Sequence, residues 1–201
     1  MLRAVFSRWT ELTRGKDLVF FAINKTGSSS LMSWMDEQGV ACLINRYREE
    51  EARKLRVIEE ARRKGLPSFT VVRNPWARAV SSWKWCMQEK GLAACSFEDF
   101  LAIPLERMTP GQRKHTLPQW RHVVDADGSI AHLTHVGRLE DLDATRDWLA
   151  DTLGLPRPGA LPHLKKSGAS DWERHYTPAT RARVAELFRR DFELFGYPLE
   201  A

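Results

Sequence analysis

The stretch LVFFAINKTGSSSLMSWM, residues 18–35, constrains the fold more than any other part of the chain. Its first six residues are continuously apolar and bulky, and too few for a helix between their flanks, so they predict a strand buried on both faces. The glycine and three serines that follow are loop residues, and Ser28 or Ser29 can open a helix through Leu31, Trp34 and Met35. Strand, tight loop and helix in immediate succession make one α/β unit, and the loop is of a size to hold a phosphate.

The alternation continues downstream. Residues 41–44 suggest a second strand, and residues 46–64 a charged helix with Glu49/Arg53, Glu50/Lys54, Glu59/Arg63 and Glu60/Lys64 at i,i+4 spacing, read as a solvated face. SFTVV, residues 68–72, predicts another buried strand. Asn74 then caps a helix with Pro75 at its first position, and Trp76, Val80, Trp83 and Met87 form its apolar stripe. Residues 91–128 are the least periodic and contain Pro104, Pro110 and Pro118, which predicts short helices and loops. HLTHVGR reads as a strand ending at Arg138, and EDLDATRDWLADTLGLP as a helix stopped by Gly154 and Pro156. The last helix has Thr177 as cap and Pro178 at its first position, with Val184, Leu187, Phe188 and Phe195 expected inside. The expected fold is a single-domain, three-layer, P-loop-like α/β structure with a central parallel sheet, and such sheets bind ligands beyond the carboxyl ends of their strands.

Composition narrows the class of ligand. A chain of 201 residues with 43% hydrophobic content can bury a sizeable core, and its length fits one domain over residues 1–201. Lys and Arg number 31 against 26 Asp and Glu, and the net charge of +5 suits an anionic ligand while being too small to argue for nucleic acid. Cys42, Cys86 and Cys95 cannot all pair with one another and lack the spacing of a zinc site, so reduced thiols and no metal are expected. No apolar run approaches the ~20 residues of a membrane span. MLRAVFSRWTELTRGKD lacks the apolar core of a signal peptide, so the expected location is cytoplasmic.

Two segments carry the chemistry. NKTGSSS offers small residues that let backbone N–H groups converge, a helix N-terminus behind them, and Lys25. It is not the NTPase signature, in which the lysine follows the glycine and a metal-binding hydroxyl comes next. FTVVRNPWARAVSSW puts Arg73 at the carboxyl end of a strand and Ser81 about two turns into the following helix, facing the same crevice as the first loop. Taken singly, each segment also reads as structure alone: a serine-rich turn with an exposed lysine, or a helix cap whose arginine pairs with a carboxylate. That plainer reading fits the pair poorly.

On these two segments the chain resembles the sulfotransferases, specifically the carbohydrate sulfotransferases that use 3′-phosphoadenosine 5′-phosphosulfate (PAPS). The family's PKTGSTSL loop binds the 5′-phosphosulfate, and its RNPxxRxxSxY-like segment binds the 3′-phosphate. By that resemblance Lys25, Thr26, Gly27, Ser28, Ser29 and Ser30 match the first and Arg73 and Ser81 the second, with Asn24 in place of the family's proline and Ser29 in place of its threonine. KHTLPQW is similar to the HxxPQ segment of the carbohydrate branch, and THVGRLEDL to its GRFENL region. LPHLKKS resembles a loop that closes over the cofactor, which makes Lys165, Lys166 and Ser167 further candidates.

The resemblance implies in-line sulfuryl transfer from PAPS to a hydroxyl, on a glycan or another acceptor, with Lys25 stabilising charge on the leaving phosphate and no metal. Residues 42–64 contain no histidine where some relatives place their base. His115 is the candidate in its stead, because its segment matches the family and histidine titrates near neutrality; His122, His132, His135, His163 and His175 have weaker claims. Two other classes stay open: a P-loop kinase or NTPase, which would need its lysine and hydroxyl elsewhere, and a non-catalytic module for acidic glycans, which would leave the paired anion loops without a purpose.

Overall fold

A computed structural model describes residues 12–46, 51–89, 95–156 and 171–199. Four strands, β1 (Leu18–Ala22), β2 (Cys42–Arg46), β3 (Ser68–Val72) and β4 (His135–Arg138), form one sheet in the order β2-β1-β3-β4. Every pairing is parallel, and Val19 of β1 lies between Leu43 on one side and Ser68 on the other. The helices between and after the strands are α1 (Ser28–Glu37), α2 (Glu51–Lys64), α3 (Pro75–Glu89), α4 (Phe97–Ala102), α5 (Pro110–Thr116), α6 (Leu142–Leu153), α7 (Pro178–Leu187) and α8 (Arg189–Phe195). No helix among the described residues is long and apolar enough to cross a membrane.

The unbroken apolar character of β1 follows from helices covering both faces. Leu18, Phe20 and Ala22 point with Phe69 and Val71 into a cluster closed by Leu31, Trp34 and Met35 of α1 and Leu149 of α6. Val19, Phe21 and Ile23 point the other way, against Val57, Ile58 and Ala61 of α2 and Val80 of α3. Residues 18–23 are all at most 6% exposed. At roughly 1.5–3 kcal/mol for each large apolar side chain buried, these alternating positions hold the three layers together. The close fit of α6 on β4 depends on Gly137, where an added Cβ would overlap Thr145 Oγ1.

Local signals work as the sequence predicts in most places. Asn74 Oδ1 accepts from the Trp76 N–H at 2.9 Å and caps α3, Gly154 ends α6 in the left-handed conformation, and Thr177 caps α7 with Pro178 next. Two expectations need correction. Residue 46 belongs to β2, the helix is described only from Glu51, and one member of its otherwise solvated charged face is inside: Lys54 is 7% exposed, pairs with Glu51 at 3.7 Å and donates to the Arg121 carbonyl. Glu49 and Glu50 lie outside the described residues. The last helix is two helices, because the chain breaks at Phe188; Phe188 turns inward and Leu187 is left 37% exposed instead of buried.

Candidate active site

The sheet order itself selects a location. The connection after β1 leads outward to β2, whereas the one after β3 leads the opposite way to β4, so a crevice opens between the carboxyl ends of β1 and β3. The loop at residues 24–27 and Arg73 stand at the two lips of that crevice.

The loop is held open by its backbone. Lys25 has φ 69°, the one non-glycine positive φ among the described residues, and Gly27 has φ 77°. Left-handed residues on either side of Thr26 give the alternation that turns successive N–H groups toward one point. Holding a lysine there costs about 1–2 kcal/mol, and backbone strain of this kind collects at functional sites. Thr26 Oγ1 and Ser28 Oγ both donate to the Ile23 carbonyl, at 2.9 and 2.6 Å, so these hydroxyls brace the turn. Thr26 is fully buried. Gly27 disfavours any side chain, because its φ is left-handed and a Cβ 2.6 Å from Leu139 Cδ1 would push that side chain aside. The N-terminus of α1 has neither a side-chain cap nor an acidic residue in its first turn, so its positive end faces the crevice.

Arg73 is 6% exposed, and its Nη1 donates to the Lys25 carbonyl at 3.3 Å, which ties the two lips together. Burial pulls its pKa down, with Glu140 acting in the opposite direction. Gln119 fixes its backbone: the Arg73 N–H donates to Oε1 and Nε2 donates back to the Arg73 carbonyl, both at 2.9 Å. Gln119 and Trp120 in turn donate their N–H groups to the two carboxylate oxygens of fully buried Asp191, each at 2.8 Å.

A second set of bonds places His115. Arg78, 1% exposed, donates from Nε to the Asn24 carbonyl at 3.2 Å and from Nη2 to the His115 carbonyl at 3.4 Å. Ser82 Oγ donates to the same His115 carbonyl at 2.7 Å, and Asn24 Nδ2 donates to the Lys114 carbonyl at 3.0 Å. Proline, the family's residue where this chain has Asn24, could not make that last bond. The His115 ring stacks on Trp85, with centroids 3.5 Å apart.

The result is one cavity of about 410 Å³ whose lining includes Lys25, Gly27, Ser28, Ser29, Ser30, Arg73, Ser81 and His115. A smaller one of about 180 Å³ adjoins it, and the two share Lys25, Arg73, Ser81 and Trp85. The structure thus brings together every predicted site residue it describes except Thr26, whose side chain is turned away into the loop. Lys165, Lys166, Ser167 and His163 lie outside the described residues. His122, His132, His135 and His175 line neither cavity; burial holds His122 and His132 well below the usual imidazole range, His132 at about 4. Among the described residues no group of three His, Cys, Asp or Glu side chains could hold a metal ion.

Arg46, Lys84 and Trp85 were missed by sequence reasoning. Arg46 ends β2 at the mouth of the larger cavity, and a strand two residues longer than predicted would have revealed it. Lys84 and Trp85 follow Ser81 at i+3 and i+4, a spacing that was readable. Arg46, Lys25, Arg73 and Lys84 put four cations and no carboxylate in the described lining of the two cavities.

A covered parallel sheet, with a strained glycine-serine loop and a buried arginine meeting at its switch point, defines an α/β protein with a cationic crevice beyond its strand ends. A model described as the Sulfotransferase family matches residues 12–198, and the chain belongs to that family. No curated protein matches the sequence significantly.

Proposed function

We propose that the protein transfers the sulfuryl group of PAPS to a hydroxyl, on a carbohydrate by its resemblance to the carbohydrate branch. The observation that carries this reading is the pair of adjoining cavities with four cations and no carboxylate. PAPS has an ionised phosphosulfate at one end and, at the other, a 3′-phosphate of about −1.5 to −2 charge near pH 7. The residues fit such a donor. The N–H groups of residues 27–30 and Lys25 would hold the phosphosulfate end, and Arg73 with Ser81 the 3′-phosphate, by charge-assisted hydrogen bonds.

The bond from sulfur to the 5′-phosphate oxygen breaks as a new one forms to the acceptor oxygen. Lys25 would donate to the departing phosphate oxygen, where negative charge accumulates. His115 would accept the proton of the acceptor hydroxyl, its ring oriented by the Trp85 stack and its backbone by Arg78 and Ser82. We further propose a cytoplasmic location, which the free thiols Cys42, Cys86 and Cys95 support; burial pushes the first two up to about 12 and about 11, keeping them protonated.

Calorimetry with 3′,5′-adenosine bisphosphate in the absence of metal tests the donor. Binding is expected, and ATP with Mg²⁺ should not compete. Binding of ATP with Mg²⁺ alone would replace this reading with the kinase one. Mass spectrometry of glycans incubated with PAPS then tests the acceptor.

A further inference from the structure

The two cavities differ in what α3 presents to them. Ser81 and Trp85 face both, while Lys84 and Gln88 face only the smaller one, where Trp172 supplies part of the lining. Residues 81, 84, 85 and 88 share one side of a helix, and at ~1.5 Å per residue they extend over about 10 Å along it. Arg73, at the carboxyl end of β3, and Lys25 line this cavity too, so a buried guanidinium and two ammonium groups share one small space.

Several cations of this protein have carboxylate partners. Lys54 pairs with Glu51, Arg62 with Asp125 and Arg146 with Asp143. Lys84 makes no hydrogen bond or ion pair among the described residues, and no carboxylate is in the described lining of the cavity it faces. Like charges gathered around one small space raise the energy of the ligand-free protein, Glu140 offsetting that of Arg73 only in part, and an anion between them lowers it. A dianion is matched better by Arg73 and Lys84 together than by Arg73 alone.

We propose that Lys84 is a further donor to the 3′-phosphate and sets the preference for a 3′-phosphorylated nucleotide. This rests on the sulfuryl-donor reading above. The RNPxxRxxSxY-like pattern ends at position 83, so Lys84 enters from the cavity alone. The roles divide by chemistry: the planar fork of Arg73 orients the phosphate through paired N–H bonds, Ser81 adds a neutral donor, and the Lys84 ammonium answers the second negative charge as a point charge.

The test is calorimetric titration of wild type, Lys84→Gln and Lys84→Arg with 3′,5′-adenosine bisphosphate and with adenosine 5′-monophosphate. Lys84→Gln should weaken the bisphosphate by about tenfold or more, the scale of one hydrogen bond to a charged group, and leave the monophosphate unchanged. Lys84→Arg should recover most of the loss, which also separates a charge effect from a disturbed helix. Thermal melts of both variants should match wild type. A Lys84→Gln protein that keeps the full preference for the bisphosphate overturns the proposal while the donor reading stands. So does equal weakening of both nucleotides. A wild type with no preference for the bisphosphate defeats the donor reading, and this proposal with it.

Discussion

Replacing Gln119 by leucine removes the two bonds that clamp Arg73, together with the weaker support its side chain gives the buried Asp191 carboxylate. Leucine is close in volume and the site is fully buried, so the substitution leaves almost no cavity. It does orphan the Arg73 N–H and carbonyl, both of which bond Gln119 at 2.9 Å. A buried polar group left without a partner costs about 1–3 kcal/mol, and two give roughly 2–6 kcal/mol, less about 1 kcal/mol for the larger apolar surface now buried. A loss near 3 kcal/mol is expected. For a chain of this size that lowers the melting temperature by about 6–12 °C. Urea denaturation followed by tryptophan fluorescence should show a lower midpoint with an unchanged slope. Gln119→Glu, which keeps an acceptor for the Arg73 N–H, should lose less below neutral pH than above it. Stability within 0.5 kcal/mol of wild type for Gln119→Leu, a margin usual for ~surface substitutions, would refute the clamp.

Other expectations follow from the site. Arg73→Ala should weaken 3′,5′-adenosine bisphosphate by roughly 1.5–3 kcal/mol in calorimetry and remove the discrimination against the 5′-monophosphate. Gly27→Ala should weaken the same ligand sharply, because Ala is strained at φ 77° and its Cβ meets Leu139, with only a modest fall in melting temperature since Leu139 can rotate. Lys25→Ala should lower kcat more than it raises the donor dissociation constant, as expected of a group that acts on developing charge. His115→Ala should bind donor normally and lose about 10²–10⁴ in turnover; near wild-type turnover would remove it from the mechanism. His132 has its folded pKa depressed from 6.5 to about 4, chiefly by burial and next by Arg62, so its contribution is complete above pH 6.5 and is lost as pH falls toward 4. Melting curves over that interval should decline less steeply for His132→Gln than for wild type.

The parts of the structure that could be read in advance are those encoded within a few neighbouring residues. LVFFAI and SFTVV announce buried parallel strands because no solvent-facing alternation interrupts them, and Asn74-Pro75 and Thr177-Pro178 announce helix starts because the cap needs only its own turn. Failures occur where distant residues decide. That Gln119 bonds Arg73, 46 positions away, and Asp191, 72 positions away, has no local trace. The hydroxyl of Thr26 could as well have faced a ligand; what turns it is the Ile23 carbonyl left open at the end of β1. The exposure of Leu187 depends on a helix break at Phe188 that the apolar spacing, continuous through residues 184–195, conceals.

The bonds from Arg78, Ser82 and Asn24 join the loop after β1 to the segment bearing His115 through groups of the protein alone. These bonds hold the two halves of the crevice in register. An enzyme assembled in this way can meet its two substrates in either sequence, so the kinetics should follow random rather than compulsory addition. Double-reciprocal lines at varied donor and acceptor would then intersect, and an acceptor analogue would bind the donor-free protein with measurable affinity.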